Sequence, residues 1–428
     1  MCLCTSLFAF HSARASAETA TYQSAGSLPG GGTYVMRRDE LATTSAMELW
    51  FRAPAGGTDA ANPGISRLAI TAVAASKPAH GTSLSELVSG LGGTLTINVY
   101  PDIAMVGVSV PSTNASRVLR ALTSAYFAPS ITSDGYKQAL RDCAVAAAET
   151  RFDAERILQD ALFAQLFASG PAHYPPIPGA TADFTKITQD ALKTYAQRAF
   201  RQNNAVLSLA GAVNAALVSD VRAGNAGAPM DGPFDSTLAA APGSATKSAY
   251  VSGLGFAWAG PPIADPKAAT ALDFIADYLF DTDHGTLAKA IAKTDPGAFV
   301  NGQFITLHDP GVLMLTISGV NSDAVRQKVT DTVAAMQQPM DAKAFATART
   351  AFEYHLLSQT QTPLSRADNF GWYAIEGNAP YAPGGASGDY LKAVESLDPG
   401  YVAQTVRKYL QHPAVVQLFS SESKGTTT

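Results

Sequence analysis

The feature that most constrains this chain is a segment with weak periodicity near its middle, Ala223 to Lys247, AGNAGAPMDGPFDSTLAAAPGSATK, flanked by two stretches that run through the same order of elements. Gly, Ala, Pro and Ser dominate it, so it reads as an interdomain linker. Before it come an apolar strand Ala46 to Arg52, a helix from Gly64, strands around Leu95 to Val99 and Ala104 to Val110, the helix Ala115 to Phe127, a long helical tract from Ser133 to Ala168, and a closing strand Val206 to Ala210. After it come Tyr250 to Ala257, the helix Ala268 to Phe280, strands Phe299 to Thr306 and Val312 to Ser318, helices from Ala324 and near Ala342 to Ser358, and Val415 to Phe419. The predicted fold class is therefore α/β of the α+β kind: two tandem, similar domains, each a mostly antiparallel sheet packed with helices.

The expected organisation is a leader at 1–17, a flexible N-terminus at 18–32, domains at 33–222 and 248–420, a linker at 223–247 and a tail at 421–428. Leu3 to Phe10 is apolar and Ala15-Ser16-Ala17 has the small-residue pattern left by signal peptidase, so cleavage after Ala17 and an exported, periplasmic or extracellular location are expected. The longest apolar runs, Tyr250 to Ala259 and Val312 to Val320, are too short to span a bilayer. A net charge of −5 argues against nucleic acid as a partner. Cleavage leaves Cys143 as the lone thiol, and the alanines after it make it a helix-packing residue rather than a nucleophile.

Several local patterns resemble the pitrilysin/insulinase metallopeptidases, which include the mitochondrial processing peptidase and the respiratory core proteins. They are Trp50 to Asp59 leading into Gly64-Ile65-Ser66; Leu91-Gly92-Gly93 with Asn98 and Asp102; Pro178-Gly179 before Ile187-Thr188; Leu207 to Val213; Phe256 to Ala269; and His308-Asp309-Pro310-Gly311. The resemblance implies two domains forming half of a clam-shell chamber. It also implies an inverted zinc motif, H-x-x-E-H, on the helix after Gly64, with a further Glu ligand from a later helix. Placed on that frame, Arg67 and Thr71 stand where the two His belong, Ile70 where the general base belongs, and Glu149 near the later ligand. Arg keeps its proton, Ile has no acid or base, and a Thr hydroxyl is a poor zinc ligand. The substrate-orienting Arg and Tyr of active relatives fall on Ala292 and Phe299, neither of which donates from its side chain. Arg366 and Tyr373 share that spacing by chance, in a region whose aromatics serve the core.

No replacement site is visible. His80, His173, His284, His308, His355 and His412 are scattered without helical pairing, and no G-x-S-x-G or phosphate-loop pattern occurs. No catalytic residue, metal ligand or cofactor is therefore assigned to this chain, and zinc is expected only in a partner. The reading is a non-catalytic subunit beside a zinc-bearing homologous peptidase, shaping the chamber or holding peptide substrates. Two alternatives are an active zinc metalloendopeptidase with an atypical site and a purely structural homodimer like the respiratory core proteins.

Overall fold

The computed structural model describes residues 23–52, 62–168, 184–224, 237–379, 382, 385 and 388–420. The expected leader, the stretch after Trp50-Phe51-Arg52, Pro178-Gly179, His173, residues 225–236 of the linker and the tail lie outside these residues.

Two sheets organise the chain. The first holds β1 (Gln23–Ser27), β2 (Thr33–Arg38), β3 (Thr44–Phe51), β4 (Thr94–Val99), β5 (Ala104–Pro111) and β6 (Ala205–Gly211), in the order β1-β2-β6-β3-β5-β4. The second holds β7 (Ser244–Ala249), β8 (Gly253–Ala259), β9 (Phe299–Ile305), β10 (Val312–Ser318) and β11 (Ala414–Ser420), in the order β7-β11-β8-β10-β9. In each sheet the strand that closes the half in sequence is inserted between two early strands, β6 between β2 and β3 and β11 between β7 and β8, and pairs in parallel with the earlier of the two. Every other pairing is antiparallel. The repeated order seen in the sequence is thus a repeated sheet topology. Two boundaries differ from expectation: residues 23–27 form an edge strand paired with β2 rather than part of a flexible N-terminus, and β7 begins inside the expected linker.

The central strands are buried almost end to end because both faces of each sheet are covered. On β3, Met47, Leu49 and Phe51 join a core with α1 (Ile65–Ala75), α3 (Ala115–Phe127) and α6 (Gln189–Ala199), whose buried residues include Leu68, Leu119 and Leu192. On β8, Leu254, Phe256 and Trp258 join a core with α8 (Pro266–Phe280) and with Phe345 and Phe352 of α11 (Ala342–Gln359).

The remaining face of each sheet is covered by a helix from the other half. The expected tract Ser133 to Ala168 is two helices, α4 (Ser133–Thr150) and α5 (Ala154–Leu166), because Asp153 caps a new helix by accepting from the Arg156 backbone N–H at 3.0 Å. α4 stays on α1, while α5 crosses to the second sheet and packs Leu158 and Leu162 with Ala257, Met314, Val416 and Leu418. In return α12 (Pro363–Ile375) crosses to the first sheet and packs along β3, β6 and β2. Both contacts rely on small residues. A side chain at Gly255 would meet Leu162 Cδ1 at 2.9 Å, and one at Gly371 of α12 would meet Trp50 Nε1 at 2.0 Å. Small residues let each visiting helix approach closely enough to exclude water.

Candidate functional site

α1 begins after Gly64, whose φ of 87° is the left-handed conformation that favours glycine. The helix is buried on nearly all sides, between the first sheet, α4 and α6, rather than on the single apolar stripe its spacing predicts. Ile70 is fully buried, and Tyr126 donates its hydroxyl to the Ile70 carbonyl at 2.7 Å. Thr71 donates back to the Arg67 carbonyl at 2.8 Å. Arg67 donates from Nη1 to the Ile97 carbonyl of edge strand β4 at 2.5 Å. Its guanidinium pKa is lowered by burial first, with a further contribution from nearby Arg156 of α5. Two guanidinium groups therefore lie near the position that the resemblance gives to the first zinc ligand, and a divalent cation there would meet positive charge instead of lone pairs.

Glu149 is exposed on α4, whose buried face carries Ala139, Cys143 and Ala147. The side chain that meets Thr71 is Cys143: its thiol is within hydrogen-bond reach of the Thr71 hydroxyl and close to Arg67, and burial pushes its pKa up to about 11. A thiol with that pKa is neutral and inert at physiological pH. Among the described residues no three His, Cys, Asp or Glu side chains group to hold a metal. This arrangement makes a restoration experiment specific. The double change Arg67→His and Thr71→His, with imidazoles at i and i+4, is expected to bind zinc with Cys143 as third ligand. Adding Cys143→Ser should weaken that affinity by about tenfold or more, whereas Glu149→Ala should leave it unchanged. Calorimetry with zinc alone reads both, and dependence on Glu149 would show that α4 is rotated from the register described.

In the second half, Ala292 is the exposed last residue of α9 (Thr286–Ala292), and Phe299 opens β9 with 52% of its surface exposed. Two residues on, Asn301 donates to the Glu155 carboxylate of α5 at 2.7 Å, so the start of β9 is tied to the helix that brings Arg156 toward Arg67. Arg366 and Tyr373 serve structure: Arg366 pairs with Asp39 at 2.9 Å, and Tyr373 is buried in the second core.

What the sequence reading missed is the seam where α12 crosses the first sheet. Trp50 of β3, Tyr100 of the β4–β5 turn and Trp372 of α12 meet ring to ring, with centroids 6.3, 6.0 and 4.7 Å apart. Around them lie buried acids. Glu48 is fully buried in mid-strand; one carboxyl oxygen accepts from Trp50 Nε1 at 3.0 Å and the other has no partner. Burial pushes its pKa well above the carboxylate range, with Asp368 adding in the same direction, and burial lifts Asp368 to about 6. At the end of the seam Asp102, 7% exposed, is hydrogen-bonded to Glu376, 2% exposed. Burial raises both, Asp102 to about 6, and the Asp102 charge helps hold Glu376 protonated. An acid inside an otherwise apolar run, Ala46-Met47-Glu48-Leu49-Trp50-Phe51, was the available signal.

Residues 186–352 match a family model described as the peptidase M16 inactive domain. No curated protein sequence matches the chain. Among solved structures, a protease from Helicobacter pylori superposes with a TM-score of 0.78 at 14% identity, covering 92% of this chain and 99% of that one. A peptidase M16 inactive domain from Pseudomonas fluorescens gives 0.76 at 16% identity, covering 92% and 98%. A chain of Complex III2 from Candida albicans gives 0.74 at 14%, covering 92% and 95%. The chain thus has the fold of these M16-type chains along nearly all its length, and its residues 186–352 match the peptidase M16 inactive domain, in line with the resemblance to pitrilysin/insulinase peptidases.

Proposed function

We propose that this protein is a non-catalytic subunit of a pitrilysin-type zinc peptidase assembly, exported from the cytoplasm, which completes a chamber beside a homologue carrying H-x-x-E-H. The observation that carries this reading is Arg67: a buried guanidinium committed to the Ile97 carbonyl stands where the resemblance puts the first ligand, so the helix that would hold zinc instead braces edge strand β4. The inactive-domain match over 186–352 supports the same reading. The chain's contribution is then shape and surface, and zinc belongs to the partner. Ala292 and Phe299 give no side-chain hydrogen bond to a substrate backbone, which leaves orientation of the peptide to the other chain.

The test is made on the native assembly, by stoichiometry, elemental analysis and omission. The expected result is a complex with a second, zinc-bearing chain, in which peptide hydrolysis requires that chain's motif and falls when the present chain is left out. A self-associated species with no zinc and no hydrolysis would favour a structural dimer, the reading to which the Complex III2 likeness points. A monomer holding about one zinc per chain and cleaving peptides alone, with both lost on chelation, would overturn the proposal.

A further inference from the structure

We propose that the Asp102–Glu376 pair is a proton-operated latch between the two halves: the proton it shares holds the β4–β5 turn of the first half to the end of α12 from the second, and its loss loosens α12 from the first sheet.

The geometry places the pair at the point where the two halves meet. Asp102 sits in the turn between β4 and β5, and Glu376 directly follows α12. The two carboxyls bond to each other, and Asp102 Oδ1 and Glu376 Oε1 are buried out of reach of any other donor. A carboxyl pair in this setting is stable only when one member carries a proton, because two carboxylates at hydrogen-bond distance repel and neither has water to screen it. The guanidinium of Arg52, just after β3, and the imidazole of His308 in the β9–β10 turn face the pair. Both are engaged with backbone at the same point. Arg52 donates from Nε and Nη2 to the Ile375 carbonyl at 3.3 and 3.2 Å, and His308 Nδ1 lies 3.1 Å from the Glu376 carbonyl. They grip the end of α12 through its carbonyls. Further along the seam stand the acids Glu48 and Asp368, whose ionisation acts in the same direction.

The sign follows from proton linkage. In the unfolded chain these acids lose their protons near pH 4, whereas the folded seam keeps them to about 6 and beyond. The seam is therefore tightest in acid and is weakened progressively as pH rises from about 4 through the folded values.

Hydrogen exchange on the full chain, corrected for the intrinsic pH dependence of exchange, tests this on peptides covering α12 and the β4–β5 turn. Between pH 5 and pH 8 the protection of these peptides is expected to fall by about tenfold or more in the wild type, because a proton held by the closed seam and not by the open one changes the closing equilibrium about tenfold for each pH unit crossed. Helix α3, in the core on the opposite face of the sheet, should change little. Glu376→Gln keeps a donor toward Asp102 but cannot ionise, so the fall should shrink to what Glu48 and Asp368 contribute. Asp102→Asn is the second variant, serving if the first does not fold, with the same expectation. Protection in the wild type that is flat with pH, or a fall of equal size in a folded variant, would overturn the latch.

Discussion

Replacing Gly371 by valine is expected to cost about 3 kcal/mol or more of unfolding free energy, read as a lowered urea midpoint, and to leave much of the protein insoluble. The reason is local. A Cβ at this position would stand 2.0 Å from Trp50 Nε1 and 2.5 Å from its Cδ1. Trp50 cannot move aside, since it is fully buried, bonded to Glu48 and packed against Tyr100 and Trp372. Alanine would in open space gain about 1 kcal/mol of helix propensity over glycine, but here its methyl already collides, so Gly371→Ala should also destabilise. Gly90, the last residue of α2 (Leu84–Gly90), is the control: nothing lies within 4 Å of a Cβ there, and Gly90→Ala should be neutral or mildly stabilising. A Gly371→Ala variant as stable as the wild type would mean that α12 does not approach the sheet this closely.

The second large effect concerns the halves as separate polypeptides. Residues 23–224 and 237–420 produced apart are each expected to lack a cooperative unfolding transition, while the two refolded together form one stable complex. Each half gives away the helix that would cover the other half's sheet. Without α12, the first sheet uncovers Trp50, Val35, Met105 and Val206. At about 1.5–3 kcal/mol for each large apolar side chain returned to water, the loss is roughly 6–12 kcal/mol, comparable with the whole stability of an ordinary domain. Without α5, the second sheet uncovers Met314, Val416 and Leu418. Far- and near-ultraviolet circular dichroism with urea titration checks this, and either half unfolding as cooperatively alone as in the intact chain would sink it.

Much of the architecture was legible because it rests on periodicity. Short apolar runs marked the strands, the 3.6-residue spacing of Ile65, Leu68, Ala69, Ala72 and Val73 marked α1, and the recurring order of elements marked the repeat. The lack of H-x-x-E-H in α1 was also legible, since the motif is local and its absence needs only the helix to be found. Glu149 shows the limit of that alignment: its distance from Thr71 in sequence did not fix its rotation about α4, and the packed face presents Cys143 instead.

Short windows of sequence carry two repeated α+β units and the absence of H-x-x-E-H from the helix after Gly64, because element type and residue identity are local properties. Only the tertiary structure decided that α5 and α12 change places, and that Glu48, Asp102, Asp368 and Glu376 gather along one seam. Asp102 and Glu376 stand far apart in the chain, and so do Trp50 and Gly371. A helix of either half buries an equally apolar stripe against its own sheet or its neighbour's, so the pattern is the same for both. The choice falls to the close fit of small residues, Gly255 under Leu162 and Gly371 against Trp50, which exists only once both surfaces have formed.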